Sequence, residues 1–146
     1  MCRLNDAELA DGRRVVHEDE CVLAYVPRAA RWPYEAHVCM REHRRSLSDC
    51  EPRELKALAG CLQRLVRGFD ALFSRPFPYV MAVHQEPTRS GERLGGHLHA
   101  EFYPPLRSAE KLKYPAGSEQ GAGTFISDVL PEESAEHLRA ALARAG

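Results

Sequence analysis

The sequence lacks the features that mark membrane, secreted and nucleic-acid-binding proteins. No apolar run approaches the roughly 20 residues that span a bilayer, and the first residues carry charges at Arg3, Asp6 and Glu8 where a signal peptide would be apolar. The five cysteines are widely spaced and include no Cys-x-x-Cys pair, which argues against a disulfide framework or a structural zinc knuckle. A net charge of −1 provides no basic field for nucleic acid. We therefore expect a cytoplasmic protein that binds neither membranes nor nucleic acids.

Lysine is also scarce, with three residues against seventeen arginines, so a lysine near a candidate site is notable. The remaining composition is that of a globular protein, with 44% hydrophobic and 28% charged residues in 146. A chain of this length buries roughly two thirds of its unfolded surface. We expect one domain, 1–146.

Hydrophobic periodicity and turn residues predict five strands and two helices. The order of strands, helix, strands and short helix provides too few crossover helices for a parallel sheet. The predicted class is therefore α+β with a mainly antiparallel sheet, one long helix and one short helix. The predicted strands cover 15–16, 21–26, 35–41, 79–84 and 97–103, and the predicted helices cover 52–74 and 131–144.

The long helix is the clearest element, because apolar residues recur along it at steps of three and four. Ser48 followed by Glu51 fits a capping box, and Pro52 alternatively suits a first helical position. We interpret the apolar stripe as core; it consists of Leu55, Leu58, Leu62, Leu65, Phe69 and Leu72. In the short helix, Ala135, Leu138 and Leu142 share one face.

The last predicted strand contains several residues that can bind metals or catalyse reactions; its sequence is His97-Leu-His-Ala-Glu-Phe-Tyr103. Side chains alternate along a strand, so His97, His99 and Glu101 are predicted to share one face while the apolar residues between them pack on the long helix. Two imidazoles and a carboxylate suit a divalent metal site. They also suit phosphoryl or nucleotidyl transfer with one histidine as nucleophile. A solvated strand face is the remaining alternative.

Two further segments support a site at this strand. His84 ends the preceding strand, so it approaches His99 if the two strands form a hairpin joined by the polar loop 86–96. The segment 111–123 places Lys111 and Lys113 before a glycine-rich turn that contains Ser118 and Glu119. Lysine and exposed backbone N–H groups bind phosphate, although this segment is no Walker A motif and a surface loop remains an alternative.

Several ordered stretches together resemble the C-terminal half of the galactose-1-phosphate uridylyltransferase family, within the histidine-triad superfamily. They cover nearly the whole chain, which makes the resemblance far more specific than the His-x-His pattern. The stretches are Leu9-Ala-Asp-Gly12, Ala30-Arg-Trp-Pro-Tyr-Glu35, Arg67-Gly-Phe-Asp-Ala-Leu-Phe73, Phe77-Pro-Tyr79, His84-Gln-Glu-Pro87, Leu98-His-Ala-Glu-Phe-Tyr-Pro-Pro105, Lys111-Leu-Lys-Tyr114 and Gly117-Ser-Glu119.

The resemblance implies a uridylyl transfer in which UDP-glucose and galactose 1-phosphate give glucose 1-phosphate and UDP-galactose. In the family, the first half carries a His-Pro-His motif whose second histidine accepts the uridylyl group. This sequence contains no His-Pro-His. The resemblance therefore implies the second half of a split enzyme, inactive alone, whose nucleophile comes from a first-half chain.

The resemblance also implies roles for individual residues. His84 and His99 match metal-ligand histidines, and Glu101 stands where many members have a third histidine. A carboxylate can still bind a divalent metal, and the resemblance implies zinc or iron. His97 stands where many members have glutamine. The expected substrate-binding residues, which reach substrate across a subunit boundary, are Lys113, Tyr114, Ser118 and Glu119; Ser118 stands where many members have tyrosine.

Two alternatives stay open at this point. In one, the chain is a self-sufficient histidine-triad enzyme, expected as a homodimer, with His99 as nucleophile and Lys113 holding phosphate. In the other, it is a metal-bearing scaffold without catalysis. A covalent nucleotide adduct on the chain alone distinguishes the first alternative from the split enzyme.

Overall fold

The fold is a five-stranded antiparallel sheet with helices on both faces. A computed structural model describes residues 1–87 and 96–146. The strands are β1 (Val15–Glu18), β2 (Val22–Tyr25), β3 (Ala36–Met40), β4 (Val80–His84) and β5 (His99–Tyr103). The helices are α1 (Cys2–Asp11), α2 (Pro52–Leu72), α3 (Gly117–Ala122) and α4 (Pro131–Ala145), with a 3-10 turn at Leu47–Asp49. Within these described residues, none of the helices has the length and apolar character needed to cross a membrane.

The order of strands in the sheet is β1-β2-β3-β5-β4, and every neighbouring pair is antiparallel. β5 therefore lies between β3 and β4, so its side chains neighbour those of both strands. The partners of β5 are in direct register: His37 lies opposite Glu101 on β3, and His84 lies opposite His99 on β4.

The main core lies between one face of the sheet and the helices α2 and α4. β5 contributes Ala100 and Phe102 to this core, and Leu98 joins them from the residue before the strand. The helices approach closely at Gly68, where an added Cβ would lie 2.5 Å from Cδ2 of Leu142. The buried hydrophobic residues that the two helices contribute to this core are Leu58, Cys61, Leu65, Phe69, Ala135, Leu138 and Leu142.

The opposite face of the sheet carries α1 at one side and polar side chains at the other. A small apolar cluster of Leu23, Tyr25 and Cys39 packs under Met1 and Leu9 of the N-terminal segment. Gly12 caps the C-terminal end of α1: it has a left-handed φ of 71°, and its N–H donates to the carbonyl of Glu8. The polar side of this face is the location of the candidate site.

The predicted fold class, the antiparallel sheet, the long helix and the core assignment of its stripe are confirmed, with local corrections. Leu55 is exposed, although it belongs to the predicted stripe. The start of α2 uses Pro52 in its first turn, with the carboxylate of Glu54 accepting from the N–H of Glu51; Ser48 lies in the preceding 3-10 turn instead of capping the helix. Helix α1 was not predicted.

Two corrections concern the chemically important segments. The strand predicted over 97–103 begins at His99, so the alternation rule does not extend to His97. The glycine-rich turn predicted within 111–123 contains the short helix α3, which ends at Gly123 with a left-handed φ of 65°. Of the predicted loop 86–96, residues 88–95 lie outside the described residues.

Candidate active site

The β4–β5 hairpin brings together the three residues predicted to bind metal. The rings of His84 and His99 stack with their centroids 4.8 Å apart. Nε2 of His99 lies 3.2 Å from Oε1 of Glu101, and Nε2 of His84 lies 3.6 Å from Oε2 of the same carboxylate. One ligand atom from each residue lies within 4.8 Å of the others. The predicted approach of His84 to His99 across the hairpin is confirmed.

The tautomer of His99 follows from its main-chain hydrogen bond. Nδ1 lies 2.7 Å from the carbonyl oxygen of His97, and a carbonyl only accepts, so Nδ1 carries the proton. In a neutral ring Nε2 then presents a lone pair toward the Glu101 carboxylate at 3.2 Å. Two acceptors at this distance repel each other unless a cation lies between them. The geometry is therefore compatible with a metal ion bound between these two groups.

Glu101 also contacts polar side chains beyond the two histidines of the hairpin. The hydroxyl of Tyr103 donates a hydrogen bond to Oε2 of Glu101. From β3, Nε2 of His37 lies 3.8 Å from Oε1 of Glu101 and 3.1 Å from Oε1 of Glu35. His37, Glu35 and Tyr103 were not predicted as site residues. The signal for His37 was present, because alternation in the predicted strand 35–41 places Glu35 and His37 on one face.

Glu35 anchors the β3 side of this network and stays ionised. Burial alone would raise the pKa of its carboxyl, but hydrogen bonds from His37 and from the main-chain N–H of Arg31 outweigh burial and hold the pKa below its ordinary value. The carboxylate accepts at 2.7 Å from that N–H and at 3.2 Å from the N–H of Trp32. The network therefore contains the Glu35 carboxylate, and Nε2 of His37 lies near both Glu35 and Glu101.

A cleft of about 820 Å³ opens over this network. Its lining includes His37, His99 and Glu101, together with the cationic residues Arg28 and Arg31. The guanidinium of Arg31 lies over the ring of Tyr103, 5.2 Å from the centroid. A cleft of this size with histidines below and arginines beside them suits a phosphorylated small molecule.

His97 borders the same cleft, but its ring belongs to a different cluster. The side chain is buried, and Nε2 lies 2.9 Å from the carbonyl oxygen of Met40. Its other nitrogen, Nδ1, lies 3.3 Å from Sγ of Cys2 and 3.3 Å from Nδ1 of His43. The main-chain carbonyl of His97 thus accepts a hydrogen bond from His99, while the His97 side chain contacts Cys2 and His43.

The predicted substrate-binding residues lie on the segment around α3. Lys113 is buried, and its Nζ donates to the carbonyls of Arg31 and Ile126 and lies 2.7 Å from Oε1 of Glu119. Hydrogen bonds from Lys113 and from the N–H groups of Ala116 and Ile126 lower the pKa of Glu119 to about 2. Lys113 and Glu119 therefore tie this segment to the loop that carries Arg31.

The two other predicted residues of this segment face outward. Tyr114 is 80% exposed, and Ser118 is exposed at the start of α3. Both side chains are accessible to a ligand or a partner chain, whereas the Lys113–Glu119 pair is enclosed.

The fold defines the class of protein to which the chain belongs. A zinc-bound histidine triad family protein from Mycobacterium smegmatis superposes with a TM-score of 0.65, at 23% identity, over 98% of this chain and 94% of that one. The chain thus shares the histidine-triad fold. A structure described as uridylyltransferase superposes with a TM-score of 0.87, at 35% identity, over 98% of this chain and 44% of that one.

The family is shown by sequence as well. The profile of the galactose-1-phosphate uridyl transferase C-terminal domain matches residues 3–145. The chain belongs to this family, as the resemblance in the sequence indicated. The galactose-1-phosphate uridylyltransferase of Thermotoga maritima is 40% identical over 140 residues, which cover 95% of this chain and 43% of that protein. The chain thus spans about two fifths of the length of such relatives.

Proposed function

We propose that this chain is the second half of a uridylyltransferase that moves a uridylyl group between UDP-glucose and a hexose 1-phosphate such as galactose 1-phosphate. The observation that carries the proposal is the family match over 3–145, which spans about two fifths of relatives that are galactose-1-phosphate uridylyltransferases. The proposal assigns the nucleophilic histidine to a first half supplied by another chain. Alone, this chain is expected to be inactive.

The proposed metal ligands are His84, His99 and Glu101, and their chemistry fits zinc or iron. Imidazole nitrogen and carboxylate oxygen are common ligands of both ions. The fit is supported by the lone pair of His99 Nε2, which faces a carboxylate oxygen at 3.2 Å. A bound ion would neutralise the Glu101 charge and hold the hairpin in one arrangement. A further ligand from the first half would complete the coordination.

The proposed substrate contacts lie on two sides of the cleft. Arg28 and Arg31 offer guanidinium groups to the phosphates of a nucleotide sugar. Across the subunit boundary, the segment of Lys113, Tyr114, Ser118 and Glu119 would reach the substrate bound by the neighbouring half. In that segment the buried Lys113–Glu119 pair fixes the conformation of the main chain, and the exposed side chains of Tyr114 and Ser118 contact the substrate.

The proposed first half docks on β4, the edge strand beside the site. Within 1–87 and 96–146, β4 pairs only with β5, so its other edge has free N–H and C=O groups. Its apolar side chains are unusually exposed: Val80 at 64%, Met81 at 45% and Val83 at 45%. An exposed apolar edge strand favours pairing with another chain. A partner on β4 would also cover His84, which is 48% exposed.

The proposed chemistry proceeds in two displacements. The first-half histidine attacks the α-phosphorus of UDP-glucose, forming the N–P bond and breaking the P–O bond to glucose 1-phosphate. A phosphate oxygen of the hexose 1-phosphate then attacks the same phosphorus, releasing the histidine and forming the UDP-sugar. In both steps the residues of this chain bind phosphate, orient the sugar and exclude water from the cleft.

The test uses this chain alone and mixed with a first-half chain that carries His-Pro-His. The chain alone should show no UMP adduct by intact mass after incubation with UDP-glucose, and the mixture should form UDP-galactose from galactose 1-phosphate. Tyr114→Ala should lower turnover of the mixture, while Lys56→Gln, on the exposed side of α2, should leave it unchanged. Turnover by this chain alone, or equal effects of the two substitutions, would contradict the proposal.

The second candidate function has its own supporting observation. The hydrogen bond from Nδ1 of His99 to the carbonyl of His97 leaves Nε2 with a lone pair, which is the state required of a nucleophile. A UMP adduct on the chain alone that disappears in His99→Ala would establish this self-sufficient enzyme. The absence of turnover in every mixture, with metal bound, would instead establish a scaffold.

A further inference from the structure

We infer that a groove between α2 and the β1–β2 turn binds a small polyphosphate through Arg64, Arg67 and His17. The groove has a volume of about 560 Å³ and shares no lining residue with the cleft over Glu101. α2 forms one wall, and the β1–β2 turn and the C-terminal end of α4, with Leu142, form the others. We call this cavity the α2 groove. The inference does not depend on transferase activity.

The α2 groove has room for a ligand because small residues line its helical wall. Ala57, Gly60 and Arg64 follow one another at steps of three and four, so they share one face of α2. Nothing lies within 4 Å of a Cβ added at Gly60, so the space beside this residue is open. Leu142 and Ala145 of α4 add apolar surface. The volume lies within the range of small-molecule sites.

Two arginines of this wall have donors to spare. Arg64 and Arg67 are both exposed, and they lie about 4.5 Å apart along the helix axis. Within residues 1–87 and 96–146, neither guanidinium forms an ion pair or a hydrogen bond. Arg14, Arg44 and most other described arginines do have such a partner. The free N–H groups of two neighbouring guanidiniums suit the oxygens of linked phosphates.

His17 adds a titratable group on the opposite wall of the α2 groove. Burial lowers the pKa of its imidazole, and the positive charge of Arg64 lowers it further. The carboxylates of Asp19 and Glu18 act in the other direction without reversing the shift. A bound phosphate would offset the charge of Arg64 and raise the pKa of His17. Binding would therefore draw a proton onto the imidazole, which then donates to the ligand.

Asp19 is the acidic side chain among the described residues that line the α2 groove. Its Oδ1 accepts from the N–H groups of Cys21 at 2.7 Å and Val22 at 2.9 Å. Its Oδ2 lies 3.9 Å from Nε2 of His17. The carboxylate is thus bound to the main chain of the turn, and it does not pair with the guanidinium groups of α2.

The surroundings of the α2 groove favour a small polyanion over an extended one. Nucleic acid needs a continuous basic surface, whereas this chain has a net charge of −1. Glu18 and Glu20 stand on either side of Asp19 in the sequence, and Glu51 pairs with Arg53 at 2.9 Å near the start of α2. The positive charge is therefore local. A small molecule with two or more linked phosphates would contact both walls at once.

The site is tested with tripolyphosphate added to the whole chain in a buffer free of divalent metal. The ring-nitrogen resonances of His17 should shift and its pKa should rise. The affinity from this titration should fall about tenfold in Arg64→Gln and in Arg67→Gln. Added salt should weaken binding, and orthophosphate should bind more weakly than tripolyphosphate. Arg3→Gln on α1 and Arg28→Gln in the cleft should bind as the wild-type chain does.

Further probes identify the kind of polyphosphate and guard against misfolding. Tighter binding of ATP than of tripolyphosphate would identify a nucleotide that uses the apolar wall, and equal or weaker binding would identify the phosphate chain alone. Without ligand, the two arginine variants should unfold at the wild-type temperature, because both positions are exposed.

Three results would overturn the inference. The first is the absence of a shift at His17 in millimolar tripolyphosphate. The second is an affinity that is unchanged in both Arg64→Gln and Arg67→Gln. The third is tighter binding of a single-stranded oligonucleotide than of tripolyphosphate, since it would indicate an extended basic surface instead of a small-molecule site.

Discussion

Truncation of Phe102 to alanine tests whether the two faces of β5 have separate roles. Phe102 is fully buried, with its ring centroid 5.6 Å from that of Phe69 and 5.3 Å from that of Tyr79. Removing about 150 Å² of apolar surface at about 25 cal/mol per Å² costs about 4 kcal/mol. This value lies within the range of about 3–5 kcal/mol found for Phe→Ala substitutions in protein cores.

The assay is urea unfolding followed by circular dichroism, together with thermal unfolding. A loss of about 4 kcal/mol lowers the midpoint temperature by about 8–16 °C for a domain of this size. His99 and Glu101 lie on the other face, so the folded variant should keep the metal affinity that we propose for the wild-type chain. Val83→Ala is the matched control, because this side chain lies on the same hairpin and is 45% exposed; it should cost about 0.5 kcal/mol or less.

The result that would refute this reasoning is a loss below about 1 kcal/mol for Phe102→Ala, since so small a change is typical of exposed positions. An equal loss in Val83→Ala would refute it as well. Loss of metal binding in a Phe102→Ala chain that is still folded would show that the two faces are not separable.

Two further predictions concern the ion pair of Lys113 and Glu119 and the packing of α2 against α4. In the folded chain the pKa of Glu119 is about 2 against an ordinary 4.5, because Lys113 and main-chain N–H groups bind the carboxylate. The stabilisation from this ionised carboxylate is complete above pH 4.5 and is lost as the pH falls toward 2. Glu119→Gln should therefore flatten the pH dependence of the unfolding free energy between pH 4.5 and 2, and an unchanged slope would contradict this prediction. On α2, Gly60→Ala should stabilise the chain by about 0.5–1 kcal/mol, because nothing lies within 4 Å of the added Cβ. Gly68→Ala should stabilise the chain less than Gly60→Ala, since its Cβ would displace the side chain of Leu142. Equal increases of the unfolding free energy in chemical denaturation would show that α2 and α4 move apart at no cost.

The elements predicted well from the sequence are those whose side chains follow one period. The alternation of 99–103 and the stripe of 52–74 each bury one face, so pattern and packing agree. α1 was missed because its buried residues are polar: Asn5 and Glu8 face the sheet, and Glu8 is paired with Arg14 at 2.8 Å. Leu9 adds an apolar contact, but a helix whose buried residues are polar has no apolar stripe to detect.

The site was predictable only where its residues are close in sequence. The β4–β5 hairpin joins neighbouring strands, so His84, His99 and Glu101 could be brought together by reasoning about one hairpin. His37 reaches Glu101 through the β3–β5 pairing, which joins strands sixty residues apart in sequence, on the order of half the chain. Cys2, His43 and His97 come from three separate elements, and no spacing rule connects them.

In the part of the chain that the structure describes, one edge of β4 has no neighbouring strand, and under the proposed function this has a consequence for assembly. One strand edge accommodates one neighbouring strand, so a copy of this chain that pairs with another copy cannot also pair with a first half. Under the proposed function, self-association and productive assembly would compete for the same row of N–H and C=O groups. The yield of active enzyme would then depend on the ratio of the two halves, and an excess of this chain would accumulate in unproductive pairs.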